Sequence, residues 1–180
     1  QTLPLTNYNS IEFYLNVDLN QHKHTKMNTI QANGYPIHFN ENAYLALNNF
    51  LLENRYSNIF IFADSDTNEH CLPVFLPNLE TDLTIEIVEF EPGEENKNIE
   101  TCVELWNVLT ELKGDRKSLV INVGGGVVTD LGGFVASTFK RGIDFIHVPT
   151  TLLAMVDASV GGKNGVDLGN LKNQIGVINV

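Results

Sequence analysis

The chain is poor in cysteine, in positive charge and in long apolar runs, and each shortage closes off a class of function. Cys71 and Cys102 are its only two cysteines. They stand too far apart for a CxxC motif and are too few for a disulfide framework, so they read as free thiols in a reducing cytoplasm. Eleven lysines and arginines face 22 aspartates and glutamates, a net charge of −11. Neither nucleic acid nor an anionic membrane attracts such a chain over distance. No apolar run approaches the roughly 20 residues of a membrane span. Gln1-Thr2-Leu3-Pro4 has neither the basic start nor the apolar stretch of a signal peptide. Of five histidines, His22 and His24 flank Lys23 in a polar segment and read as solvated, while His147 lies in an apolar run and is expected to satisfy a core hydrogen bond. No cluster supplies three metal ligands. The 180 residues, 43% of them hydrophobic and 18% charged, read as one soluble cytoplasmic domain with a proper core.

Glycine, by contrast, is plentiful and unevenly placed: 11 of 14 lie between Gly124 and the C-terminus. Ser118-Leu119-Val120-Ile121-Asn122-Val123 reads as a buried strand, Gly124-Gly125-Gly126 as a turn, and the residues from Val127 through Asp130 to Ser137 as a helix. A strand, a glycine turn and a helix start form an anion site, because backbone N–H groups and the helix dipole face the ligand and no Cβ blocks its approach. A phosphorylated small molecule is therefore the expected partner. Two common fingerprints fail: GxGxxG read from Gly124 puts Thr129 at the third glycine, and a Walker loop read at Gly162-Lys163 meets Asp157 and Asn164 in the wrong places.

Elsewhere, Ile11 to Leu15 and Thr29 to Phe39, the latter broken at Asn33-Gly34, read as a small antiparallel layer. Glu41 to Asn54 has a helical pattern in Leu45, Leu51 and Leu52. Asn58 to Asp64 is a buried strand ending on an acid, and Thr84 to Phe90 alternates as a strand with one wet face. Asn98 caps a helix to Leu112 with Val103, Trp106, Leu109 and Leu112 on one stripe. Asp144 to Pro149 is another strand, and Thr150 to Val160 a further helix. Alternation of strands and helices predicts an α/β fold, a mostly parallel Rossmann-like sheet with helices on both faces. Ligands of such sheets bind beyond the carboxyl ends of the strands, where Asp64, Gly124 to Gly126 and Thr150 would meet. Asp157, in an apolar helix, is expected to line a wet pocket or to pair with a cation, Lys163 or Lys172, against the plainer reading of a solvated helix face. Lysines beside a carboxylate suit an acidic phosphorylated substrate.

Several blocks taken together resemble 3-dehydroquinate synthase: Gly-Gly-Gly-Val-Val-Thr-Asp at 124–130, Lys140-Arg141-Gly142, Val148-Pro149-Thr150-Thr151-Leu152-Leu153, Val156-Asp157-Ala158-Ser159-Val160-Gly161-Gly162-Lys163, and Leu171-Lys172-Asn173-Gln174-Ile175-Gly176. They keep the family's order and spacing over the last third of the chain. The region from Asn58 to Lys97 resembles the family more loosely, and residues 1–57 scarcely at all.

The resemblance implies an NAD-dependent, metal-assisted, cytoplasmic enzyme of the shikimate pathway that converts 3-deoxy-D-arabino-heptulosonate 7-phosphate to 3-dehydroquinate and phosphate. It places Gly124, Gly125, Gly126 and Asp130 at the NAD pyrophosphate and its surroundings, Thr150 and Thr151 on the nicotinamide side, and Glu94 and Lys97 at the adenosine ribose region, with Pro92 standing where the family commonly has an acid. Asp64 would bind a ribose hydroxyl, with Asp66 and Asn68 as competitors under a shifted alignment. Asp157, Lys163, Lys172 and Asn173 would face the reacting sugar and the nicotinamide, the two lysines also touching the cofactor. Arg141 would reach the substrate phosphate of a neighbouring subunit, which implies a homodimer.

In the family a mainly helical domain, expected beyond residue 180, supplies one glutamate and two histidines for zinc or cobalt. Residues 1–180 are thus expected to be the NAD-binding domain, without metal ligands of their own and inactive alone. Other readings share parts of the pattern: an inosose or valiolone synthase, an iron-dependent alcohol or glycerol dehydrogenase, and a non-enzymatic NAD-binding module. Gly161-Gly162-Lys163 and Lys172-Asn173 argue against the dehydrogenase.

Overall fold

The apolar runs read as strands form the centre of one sheet in the computed structural model, which describes residues 10–14, 29–32 and 34–179. Leu15, His22, Lys23, His24 and Asn33, named above, lie outside the described residues. The strands are β1 (Ser10–Tyr14), β2 (Ile30–Gln31), β3 (Pro36–Phe39), β4 (Ile59–Asp64), β5 (Ile85–Phe90), β6 (Leu119–Gly124) and β7 (Asp144–Pro149), in the order β2-β3-β1-β7-β6-β4-β5. Every pairing is parallel except β2 with β3. The expected α/β class therefore holds, with one correction. The hairpin of β2 and β3 is antiparallel as expected, but β1 joins the main sheet in parallel between β3 and β7. A five-residue segment carries no signal for its neighbour's direction.

Central strands of a parallel sheet are covered on both faces, so nearly every residue is apolar and alternation decides which core each joins. Ile59, Ile61 and Ala63 of β4, with Ile121 and Val123 of β6, pack on α1 (Glu41–Glu53) and on α3 (Leu72–Phe75), which follows the short α2 (Ser65–His70). Phe60 and Phe62, with Val120 and Phe145, pack on α4 (Ile99–Glu111) and α5 (Gly126–Thr138).

Three stripes differ from the expected ones. In α1 the buried residues are Ala43, Leu47, Asn48 and Leu51, while Leu45 and Leu52 are exposed. In α4 they are Cys102, Leu105 and Leu109, and Val103 is exposed. Cysteine packs as a small hydrophobe, so the stripe moves toward Cys102 and Leu105 while keeping Leu109, with Trp106 partly buried against the same core. On the edge strand β5, Val88 is buried and Ile87 exposed, so the wet face is not the acidic one alone. The predicted Asn98 cap holds: its Oδ1 accepts from Thr101 N at 2.9 Å.

The segment after β7 forms a single π-helical turn, Ala154–Ala158, rather than a full helix, and leaves Leu152, Leu153 and Val156 exposed. Next comes a hairpin not foreseen above, β8 (Lys163–Leu168) and β9 (Leu171–Ile178), joined by Gly169-Asn170 and packed on the α4/α5 side through Val166, Ile175 and Val177. Gly-Asn between two paired runs is a two-residue hairpin signal, hidden here because the strands are rich in polar residues and glycine. Among the described residues no helix is long and apolar enough to cross a membrane.

Candidate functional site

The predicted convergence at the carboxyl ends of the strands is present. β4 ends at Asp64, β6 at Gly124 and β7 at Pro149, and Thr150 N donates to Gly124 O at 3.0 Å. Asp64 caps α2: its Oδ1 accepts from Thr67 N at 2.8 Å and from Thr67 Oγ1 at 2.7 Å. Of its competitors, Asp66 is exposed and Asn68 donates to Glu89 Oε2 on the neighbouring strand.

The glycine turn passes directly into α5. Gly125 is the N-cap and has extended φ/ψ, and with no side chain it offers the first-turn N–H groups of α5 no cap. A Cβ on Gly124 would overlap Val128, whereas one on Gly125 would stand 3.3 Å from Thr151 Cγ2 and one on Gly126 3.5 Å from Ala158 Cβ. Thr151 and the π turn therefore flank the glycines, and Thr151 Oγ1 in turn accepts from Ala154 N at 3.2 Å.

A buried ammonium forms the second part of the site. Lys97 is only 4% exposed. Its Nζ lies 3.1 Å from Glu94 Oε1, 3.4 Å from Asp130 Oδ2, 3.9 Å from Asp167 Oδ1 and 3.0 Å from Asn173 Oδ1. Burial by itself would lower this ammonium, but Glu94, Asp130 and Asp167 outweigh it and hold its pKa above the ordinary value. Burial pushes the Asp130 carboxyl up to about 6, with Lys97 opposing. Glu94 is held below its usual range because Lys172 and Lys97 outweigh its own burial; Lys172 Nζ lies 3.0 Å from Glu94 Oε1.

Beside Asp130, against the β8–β9 hairpin, opens a cavity of about 440 Å³ whose lining includes Asp130, Asp157, Lys163, Asn164, Asn173 and Gln174. Asp157 resolves as both a cleft residue and an ion pair, its Oδ1 3.1 Å from Lys163 Nζ, with both side chains exposed. Glu94, Lys97, Asp130, Asp157, Lys163, Lys172 and Asn173 are thus brought to one region with the glycine turn. Arg141 is not. It is exposed, at φ 75°, after the C-terminal end of α5. The 13 residues of α5, which begins at Gly126, run from the glycine turn toward it, about 20 Å at 1.5 Å per residue.

Sequence reasoning missed Asp167 and Asn164, both on the unforeseen hairpin. Asn164 is buried with His147 and Asn122 beneath Gly132 and Gly133. His147 satisfies the expected core hydrogen bond, its Nδ1 3.2 Å from Asn122 Nδ2. Asn122 Oδ1 and Asn164 Oδ1 are buried without a donor in hydrogen-bond geometry, although the nearness of Asn164 still favours a protonated ring.

Burial dominates and lowers His147 to about 4. A depressed histidine contributes stability that is complete above its unfolded pKa of about 6.5 and is lost as pH falls toward 4. Asp130, raised when folded, acts oppositely and stabilises as pH falls through 6. Comparing the wild type with His147→Gln removes the shared Asp130 contribution. Chemical denaturation from pH 7 to 4 is expected to show the wild type losing about 3 kcal/mol more than the variant. Parallel stability curves would show that His147 carries no such linkage.

The 3-dehydroquinate synthase N-terminal family model matches residues 87–180. A 3-dehydroquinate synthase of Parabacteroides distasonis is 42% identical over 130 residues, 72% of this chain and 36% of that protein. The chain thus spans about a third of the length of this curated relative. Among solved structures, 2-deoxy-scyllo-inosose synthase complexed with carbaglucose-6-phosphate, NAD+ and Co2+ matches at a TM-score of 0.65 and 28% identity, over 75% of this chain and 37% of that one. The 2-epi-5-epi-valiolone synthase of Streptomyces hygroscopicus subsp. jinggangensis, with NAD+ and Zn2+ bound, matches at a TM-score of 0.61 and 26% identity, over 75% and 38%.

Proposed function

Because the chain belongs to the 3-dehydroquinate synthase family, we propose that residues 1–180 form the NAD-binding domain of an enzyme that converts 3-deoxy-D-arabino-heptulosonate 7-phosphate to 3-dehydroquinate and phosphate. The observation that carries this reading is the uncapped glycine start of α5 beside the Lys97 cluster. The first-turn N–H groups suit a pyrophosphate, and the glycines leave room for its approach. Bound NAD supplies a reversible hydride acceptor, so a substrate hydroxyl can be oxidised and later restored.

The chain's own residues bind and orient. The N–H groups at Gly125 and Gly126 hold the pyrophosphate beside Gly124 and Asp130. Glu94 and Lys97 take the adenosine ribose region with Asp64, and Thr150 and Thr151 border the nicotinamide. Lys163 and Lys172, close to Asp157 and Glu94, place positive charge where an acidic sugar phosphate would lie, and Asn173 offers a neutral hydrogen-bonding group there. The identity to 3-dehydroquinate synthases favours that substrate over those of the more distant inosose and valiolone synthases.

Among the described residues no group of three or more histidine, cysteine, aspartate or glutamate side chains could hold a metal ion. The described residues do not fit a zinc or cobalt site, and no step is assigned to one. Arg141, exposed and remote from the cleft of its own chain, is assigned to the substrate phosphate in a second copy, which makes the working form a homodimer in the cytoplasm. Calorimetry of the purified 180-residue chain is expected to show one NAD site per chain and no turnover of the sugar phosphate with zinc or cobalt added. Absence of NAD binding would overturn the cofactor assignment, and turnover would overturn the division of labour.

A further inference from the structure

Asp167 belongs to no motif singled out in the sequence, yet it touches both halves of the cleft. It lies at an irregularity in the β8–β9 register, between Val166 and Leu168. Its backbone N donates to Lys97 O at 2.9 Å, so the strand leans directly on the segment that carries Glu94 and Lys97. Its Oδ1 accepts from Asn173 N at 2.7 Å and stands 3.9 Å from Lys97 Nζ. The carboxylate is 13% exposed and the ammonium 5%, so water screens little of their attraction.

Asn173 has φ 51°, a left-handed conformation that asparagine adopts more readily than most other non-glycine residues. In that conformation its side-chain Oδ1 accepts from Lys97 Nζ at 3.0 Å. One carboxylate therefore holds the backbone of Asn173 and faces the ammonium that the Asn173 side chain contacts.

We propose that Asp167 is a positioning residue that locks Asn173 and Lys97 in register, so that the hairpin and the 94–97 segment present their groups to the cofactor as one unit. The inference rests on the reading of this cleft as an NAD site. Without the carboxylate, Asn173 N has no acceptor, β9 is released from its left-handed residue, and Lys97 turns toward Glu94 and Asp130.

Calorimetry with NAD and ¹⁵N–¹H spectra of the full 180-residue chain test it together. Asp167→Ala, which removes both contacts, is expected to weaken NAD binding about tenfold. Asp167→Asn keeps an acceptor for Asn173 N but not the charge, and is expected to weaken binding about threefold. The Asn173 amide resonance reads the backbone contact: it leaves its wild-type position in Asp167→Ala, which removes the acceptor, and stays close to it in Asp167→Asn, which keeps one. A purely structural role for Asp167 would lower the melting temperature without this paired change in the Asn173 amide and the affinity. Wild-type affinity in a folded Asp167→Asn overturns the proposal even where Asp167→Ala is too unstable to assay. Failure of the wild-type chain itself to bind NAD would instead overturn the reading of the cleft, and the first titration separates the two cases.

Discussion

Gly125→Val is expected to raise the dissociation constant for NAD at least a hundredfold while leaving the fold in place. The two halves of this expectation have separate physical grounds. Gly125 has φ −77° and ψ −167°, a backbone that any L-residue adopts, and a Cβ there would stand 3.3 Å from Thr151 Cγ2. Thr151 is exposed and can yield a few tenths of an ångström. The folded chain therefore tolerates the substitution, and its melting temperature should fall by no more than a few degrees. The cofactor does not tolerate it. A valine at the N-cap puts branched methyls over the first-turn N–H groups of α5, where a pyrophosphate must approach. Hydrogen bonds to a charged group contribute about 1.5–3 kcal/mol each, so losing two costs two orders of magnitude or more. Calorimetry on the two chains reads the affinity and scanning calorimetry the fold. Unchanged affinity in a folded variant would show that the glycine turn does not hold the cofactor.

Gly133→Ala should do the reverse and damage the fold from a position remote from any ligand N–H. A Cβ on Gly133 would overlap the Asn164 carboxamide and lie 3.1 Å from His147 Cε1. Asn164 is 3% exposed and His147 2%, so neither has free volume to retreat into. Overpacking of this kind costs about 1–3 kcal/mol, and the upper end, an approximately 8 °C fall in melting temperature for a chain of this length, is expected. The cause is separable from a general intolerance of α5. Combining Gly133→Ala with Asn164→Ala removes the overlapping group, and the double variant should be more stable than the sum of the single losses by at least about 1 kcal/mol. Additive losses, or a melting temperature close to the wild type for Gly133→Ala alone, would show that α5 shifts to make room.

These two glycines also show what was legible in the sequence. The turn at 124–126 could be read because strand, glycines and helix are contiguous, and contiguous patterns follow local rules. Gly133 could not, because its constraint comes from Asn164, 31 positions later, on a hairpin whose polar strands and glycines lack the usual alternation. The Asp157–Lys163 pair was foreseeable, being six residues apart on either side of a glycine bend. The Lys97 cluster was readable only in part: Glu94 lies within one turn of it, whereas Asp130, Asp167 and Asn173 arrive from three other elements. Helix stripes were misplaced in α1 and α4 for a similar reason. Counting the large apolar residues ignored Ala43 and Cys102, which the sheet covers because their small size permits close approach.

The placement of β1 governs how this protein can be assembled. That strand lies between β3 and β7, with Ser10 opposite Phe145 and Glu12 opposite both Ile37 and His147. A chain emerging from the ribosome can pair its first strand with β3 early, but the other edge of that strand must wait until more than 130 further residues have been made. Until then an open hydrogen-bonding edge faces solvent at the site where the nascent sheet must later close, and another nascent copy could pair there. Synthesis that pauses before Pro149 should therefore yield a chain prone to self-association, and completing β7 is the step that ends the exposure.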